Sequence, residues 1–167
     1  MTPKHSMSDA PNAPPARKGL GFQPSIKGRA LRLLSQREHS RAELERKLAQ
    51  HEQAPGELAK ALDELQARDF INDGRAIESV VHRRAGKLGA ARVRQELAAK
   101  GLSGEAVAQA MQTLRESELN RAQEVWRKKF GQPPADATER AKQMRFLLTR
   151  GFAAEVVRRV VQGGDEF

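Results

Sequence analysis

The 167-residue chain has no cysteine and no tyrosine, one tryptophan and six phenylalanines. Without cysteine there is no disulfide, no thiolate nucleophile and no zinc site built on sulfur. Aromatic residues make up 4% of the sequence, too few to line a base-stacking platform for single-stranded nucleic acid. No apolar run approaches the roughly 18 residues of a membrane span. The N-terminal stretch also lacks the continuous apolar segment of a secretory leader, so a cytoplasmic protein is expected, with no membrane contact. Neither G-x-x-x-x-G-K-[S/T] nor G-x-G-x-x-G occurs, and Gly86-Lys87-Leu88-Gly89 is long enough only for an interhelical turn. His5, His39, His51 and His82 are scattered without paired-ligand spacing. No cofactor, no metal and no catalytic residue is expected.

What is present is charge on a helical pattern. Charged residues account for 31% of the chain and apolar ones for 38%, with a formal net charge of +9. That mix suits narrow amphipathic helices and an anionic partner better than one large core. Residues 1–25 carry Pro3, Pro11, Pro14, Pro15 and Pro24 among small polar residues. They read as a flexible, mildly basic tail that cannot recover its ordering entropy. From Ile26 onward apolar residues recur three and four apart: Leu31 and Leu34, Leu44 and Leu48, Leu58, Leu62 and Leu65, Val93 and Leu97, Val107, Met111 and Leu114. No segment alternates as a strand does. The expected fold is all-α.

The sequence also repeats itself. Gly28-Arg29-Ala30 returns as Gly74-Arg75-Ala76 and again as Asn120-Arg121-Ala122, at two equal steps of 46 residues. Lys100-Gly101-Leu102 returns as Arg150-Gly151-Phe152, each followed by Glu and then Val (Glu105 and Val107, Glu155 and Val157). Periods of this size mark repeat arrays, in which each unit depends on its own small core and on its neighbours. Three tandem three-helix units are expected, at 26–72, 73–118 and 119–162, with a C-terminal tail at 163–167. They would form an elongated, curved array. No long heptad seam suggests a coiled-coil dimer, and a monomer is expected.

One stretch looks catalytic at first sight: REHSRAEL, residues 37–44. Ser40 followed by Glu43 fits a capping box, in which the hydroxyl accepts from the Glu43 N–H and the carboxylate accepts from the Ser40 N–H. His39 before the cap and Leu44 beyond it fit a hydrophobic staple. A Ser–His dyad needs a third group and oxyanion donors, and neither is nearby. The stretch is expected to start a helix, and a hydrolase built on His39 and Ser40 is the remote alternative.

The charge is unevenly spread. Residues 41–73 hold five Lys/Arg against eight Asp/Glu, residues 74–118 eight against five, and residues 119–162 ten against four. The excess lies in Arg83, Arg84, Lys87, Arg92, Arg94 and Lys100, then in Arg127, Lys128, Lys129, Arg140, Lys142, Arg145 and Arg150. These residues are the candidate partner-binding set: a basic groove where units stack, suited to phosphate or to a carboxylate-rich protein surface. The same cations would also suit solvated helix faces, with Arg92 and Glu96 at pairing distance on one helix. Phe130, Phe146 and Phe152 occupy expected core positions. No helix presents a clear base-reading set.

Three segments, LLSQREHSRAELERKL (33–48), DFINDGRAIESVVHRR (69–84) and GAARVRQELAAKGL (89–102), together with WRKKF (126–130) and FLLTRGF (146–152), resemble the RecX family of recombination regulators. The likeness spans roughly residues 28–160. One departure is that Ala76, and Val80 or Val81, stand where the family's second unit usually has aromatics. The resemblance implies three tandem three-helix repeats and no enzymatic activity. It implies a protein that binds the RecA filament on DNA, within its groove, and restrains ATP hydrolysis, strand exchange and coprotease activity. A sequence-independent nucleic-acid-binding protein, in weak direct contact with DNA through its basic helices, is the alternative.

Overall fold

A computed structural model of the chain describes residues 21–163. The expected N-terminal tail falls almost wholly outside that range, as does all but Gly163 of the C-terminal one. Among the described residues the secondary structure is helical, with no strand. The first three helices are α1 (Ile26–Gln36), α2 (Arg41–Leu48, extended by a 3-10 turn at Ala49–His51) and α3 (Glu57–Ala67). Then come α4 (Asp73–Arg84), α5 (Ala90–Ala99) and α6 (Glu105–Glu116), and last α7 (Glu118–Lys129), α8 (Ala137–Thr149) and α9 (Ala154–Gln162). None is long and apolar enough to cross a membrane.

Each set of three helices closes on its own core. Ile26, Ala30, Leu44, Leu48, Leu58, Leu62, Leu65 and Ile71 form the first. Ala76, Ile77, Val80, Val93, Leu97, Leu102, Met111 and Leu114 belong to the second. Ala122, Leu147, Phe152, Val157, Val160 and Val161 form the third. Burying a Leu or Val of this kind stabilises by about 1.5–3 kcal/mol, so each core is a modest one. Ala76 and Val80 are both core residues, and Val81 packs partly buried against them. In the third unit the buried Gln143 accepts from Trp126 Nε1 at 2.8 Å and donates to the Gln132 carbonyl at 3.1 Å, which satisfies its amide inside the core.

The helix ends are written locally. Ser25, Ser40, Asn72 and Asp136 cap α1, α2, α4 and α8 through side-chain oxygens. Helices α5 and α8 stop in Schellman turns. Leu102 N donates to Leu97 O at 3.0 Å and Gly101 N to Ala98 O at 2.9 Å, while Phe152 N donates to Leu147 O and Gly151 N to Leu148 O. Gly101 and Gly151 hold φ of 71° and 88°, where other residues are strained.

The two sequence echoes turn out to be the couplings between units. Arg75 and Arg121 each reach back to the helix–helix loop of the preceding unit, whereas Arg29, in the first unit, donates to Gln23. Arg75 Nε donates to Glu38 at 3.0 Å. Arg121 donates to the carbonyls of Ala85 (2.8 Å) and Leu88 (2.6 Å), and burial lowers its pKa. Each Gly-centred turn sits on the start of the preceding unit's second helix. Ser40 Oγ donates to the Lys100 carbonyl and Arg46 to that of Ala99 at 2.7 Å. One unit on, Gly89 N donates to the Arg150 carbonyl at 2.8 Å and Arg92 to that of Thr149 at 3.1 Å. Glu118 closes the second junction by accepting from Ala90 N at 2.8 Å.

REHSRAEL therefore does more than start a helix. The capping box is present, with Glu43 N to Ser40 Oγ at 3.1 Å and Ser40 N to Glu43 Oε1 at 3.2 Å. Burial by itself would raise the Glu43 carboxyl, but the Arg37 hydrogen bond, the Ser40 N–H and the nearby Lys100 charge outweigh it and bring the value down to about 2. His39 is not merely bulk against Leu44, as a staple would be. Its ring is buried, with Nδ1 3.0 Å from the Arg37 carbonyl and Nε2 3.2 Å from Lys47 Nζ. An ammonium can only donate, so Nε2 accepts and Nδ1 carries the proton. Desolvation, aided by the Arg37 and Lys47 charges, lowers the imidazole pKa and keeps it neutral.

Candidate functional site

The junction of the second and third units opens into a cleft of about 460 Å³. The end of α4 and the turn after it contribute His82, Arg83, Gly86 and Lys87. Helix α7 contributes Val125, Lys128 and Lys129, and α8 contributes Phe146 with Arg150 just past its end. Spacings of three and four residues place Val125, Lys128 and Lys129 on one face of α7. His82 and Arg83 sit in the last turn of α4, and Lys128 and Lys129 in that of α7. There the free carbonyls of a helix end favour positive charge.

Phe146 organises the cations. Lys129 Nζ lies 5.5 Å and the Arg150 guanidinium 4.6 Å from its ring centroid, and Phe130 meets it edge-on at 5.4 Å. Cation–π contacts of this kind contribute about 0.5–1 kcal/mol where exposed, enough to hold two long side chains toward one wall. Six basic groups line the cleft and no carboxylate does. Low-dielectric walls lined by one sign of charge concentrate counter-ions. The arrangement can hold a phosphate or a carboxylate.

Of the thirteen basic residues named from the sequence, the cleft brings together five: Arg83, Lys87, Lys128, Lys129 and Arg150. Arg84 lies 2.9 Å from Glu96, too bent for a hydrogen bond but close enough for an ion pair. Glu96 thus faces Arg84 and not Arg92 as its spacing suggested. Arg92 is spent on the Thr149 carbonyl. Lys100, whose side chain is 16% exposed, pairs with Glu43 across the first junction. Arg127 pairs with Glu124 on its own helix. Arg140, Lys142 and Arg145 are exposed on α8 and do not line the cleft. Arg94 points away from all of these, into a separate groove with Arg115.

Two functional candidates escaped the sequence reading. His82 stands beside Arg83 in the last turn of α4, and that position was a usable signal. Arg115 lies on α6, and nothing local connects it to Arg94. Of the three phenylalanines expected in the core, only Phe152 is fully buried; Phe130 and Phe146 are half-buried, and Phe146 forms part of the cleft wall. The bonds of Ser40 and His39 run to Lys100, Glu43, Arg37 and Lys47 and not to each other, so the hydroxyl is not poised against the imidazole. Among the described residues no group of three His, Asp or Glu could hold a metal.

Comparison with known proteins matches this architecture unit by unit. Family models described as the first, second and third three-helix domains of RecX match residues 27–65, 72–111 and 116–161. The regulatory protein RecX of Leptothrix cholodnii is 55% identical over 143 residues, covering 86% of this chain and 91% of that protein. That of Ralstonia nicotianae is 50% identical over 141 residues, covering 84% and 89%. The crystal structure of RecX from Lactobacillus salivarius superposes with a TM-score of 0.64 at 22% identity, covering 84% of this chain and 94% of that one.

Proposed function

The chain belongs to the RecX family, and we propose that it regulates the RecA recombinase by binding its filament on DNA. It acts there as a monomeric, non-enzymatic cytoplasmic protein and restrains ATP hydrolysis, strand exchange and coprotease activity. The observation that carries this reading is the cleft at the second junction, in a chain whose relatives are named regulatory proteins. Its cations converge where two units meet, and their only matched chemistry is an anionic surface. A filament offers phosphate and acidic protein together. A row of linked units can also touch more than one subunit, and binding one filament state more tightly than another is what shifts its population.

The test is the DNA-dependent ATPase of RecA with substoichiometric amounts of this protein. The wild type lowers the rate, and Lys128→Glu with Lys129→Glu relieves the inhibition. Lys60→Glu with Arg68→Glu, on the exposed surface of the first unit, does so less at the same change of net charge. Exposed reversals of this kind usually change stability by no more than about 0.5 kcal/mol, so melting temperature should hardly move. An unchanged ATPase rate with the wild type refutes the reading.

The absence of acids from the cleft also favours a second reading, in which bare nucleic acid is the partner. Binding driven by phosphate contacts falls steeply with salt. A protein interface with the filament adds apolar contacts and should persist at salt that strips the protein from naked DNA. Equal salt sensitivity on both would select the second reading.

A further inference from the structure

On the face of α5 away from Arg92, a second groove runs between α5 and α6 and is closed at one end by Leu148 and the Gly151–Phe152–Ala153 turn of the third unit. Two contiguous hollows, about 640 and 350 Å³, share Arg94, Ala98, Met111 and Arg115 as common walls. Helix α5 presents Ala91, Arg94, Gln95 and Ala98 at spacings of three and four, and all four are exposed. Helix α6 answers with Ala108 and Arg115 around the buried Met111. From Ala90 to Ala98 the trough follows about 12 Å of helix, and the exposed Leu148 extends its apolar surface at one end.

Alanine walls let another backbone approach closely, and the walls are too shallow to need filling by their own side chains. The two arginines stand at the middle of the trough. Among the described residues the neighbouring ion pairs, Arg84–Glu96, Lys100–Glu43 and Arg127–Glu124, use neither of them. Glu118, the one carboxylate on the lining, is buried and committed to the Ala90 N–H. The floor is apolar and the flanks are cationic.

We propose that this groove docks an amphipathic helix from a protein partner, with an apolar stripe against Ala91, Ala98 and Met111 and carboxylates paired with Arg94 and Arg115. The site is distinct from the basic cleft, with which it shares no lining residue and whose wall carries two cations stacked on Phe146. The proposal does not depend on which macromolecule fills the cleft.

The probe is a fluorescent synthetic helix of about 14 residues, roughly 21 Å long, with Leu on one stripe and Glu on both flanks. The same helix with Lys for Glu is the comparison, and binding is read by anisotropy. The full-length wild type prefers the Glu peptide by about tenfold, as two partly exposed ion pairs would give. Arg94→Glu with Arg115→Glu inverts that preference, and Ala98→Trp, which fills the trough, weakens both peptides without lowering the melting temperature. No measurable binding by the wild type overturns the proposal. So does an Ala98→Trp variant that binds as the wild type does. An equal loss in Lys60→Glu with Arg68→Glu would mean that net charge alone attracts the peptide, and loss confined to Lys128→Glu with Lys129→Glu would put it in the cleft; either result overturns the assignment.

Discussion

Replacing Gly89 by alanine tests the coupling of the units directly. The backbone there, φ −73° and ψ 164°, is ordinary for alanine, so no dihedral strain enters. The added methyl, however, would stand 2.2 Å from the carbonyl carbon and oxygen of Gly151 and 2.3 Å from the Phe152 nitrogen. Carbon atoms pack at about 3.5–4.0 Å, so the Gly151 turn must retreat by more than about 1 Å. It is backbone on both sides and cannot rotate away. Overpacking of this kind costs about 1–3 kcal/mol, and alanine at a helix N-cap costs up to about 1 kcal/mol. The Gly89–Arg150 hydrogen bond is worth about 0.5–1.5 kcal/mol more. Reduced freedom of the unfolded chain returns about 0.4–1 kcal/mol. The net loss is centred on about 3 kcal/mol, within limits of about 0.5 and 5, and is concentrated at one junction. Because the third unit keeps its own core, the expected signature is decoupling: helical circular dichroism retained at low temperature, an earlier and broader thermal transition, and a larger radius of gyration by small-angle scattering. Gly86→Ala, three residues earlier in the same turn and with nothing within 4 Å of its added carbon, is the control and should melt with the wild type. If Gly89→Ala melts and scatters like Gly86→Ala, the two backbones do not touch in solution and the coupling argument fails.

The first junction yields further expectations. Ser40→Ala removes both the α2 cap and the bond to the Lys100 carbonyl, for a loss of about 1–3 kcal/mol by chemical denaturation; a loss below about 0.5 kcal/mol would mean that neither contact matters. His39→Leu, which a simple staple would tolerate, leaves the Arg37 carbonyl without its donor, the exposed Lys47 being rehydrated, and should cost about 0.5–1.5 kcal/mol. Wild-type stability in that variant would restore the staple. Acid should also weaken this junction. Glu43 titrates near 2 when folded and near 4.5 when free, so between those values the unfolded chain binds the extra proton. About 3 kcal/mol of stability is therefore lost as pH falls through that window, and Glu43→Gln should flatten the slope. The lowered His39 pKa acts in the same direction, beginning as pH falls below 6.5, and a stability curve flat from pH 7 to 3 would contradict both.

Much of this protein was legible one helix turn at a time. A serine three residues before a glutamate starts α2, and a glycine after Lys100 or Arg150 stops a helix, because caps are satisfied by groups within a few residues of each other. The apolar spacing that assigned Leu44, Leu48, Val93 and Leu97 to cores depends only on helical geometry. The echoes at Arg29, Arg75 and Arg121 announced three similar units for the same reason. The purpose of the later two was hidden, since the groups they grip belong to another unit: Arg75 meets Glu38 and Arg121 meets Ala85 and Leu88. Arg92 and Arg94 make the distinction sharpest. Two residues apart, they point to opposite sides of α5, one into the Gly151 turn and the other into an open groove. Composition and spacing treat them alike, as they treat Lys100 and Lys128. Which cation is consumed by a carbonyl or carboxylate and which is left facing solvent depends on partners some 50 residues away, brought there by the packing of one unit on the next.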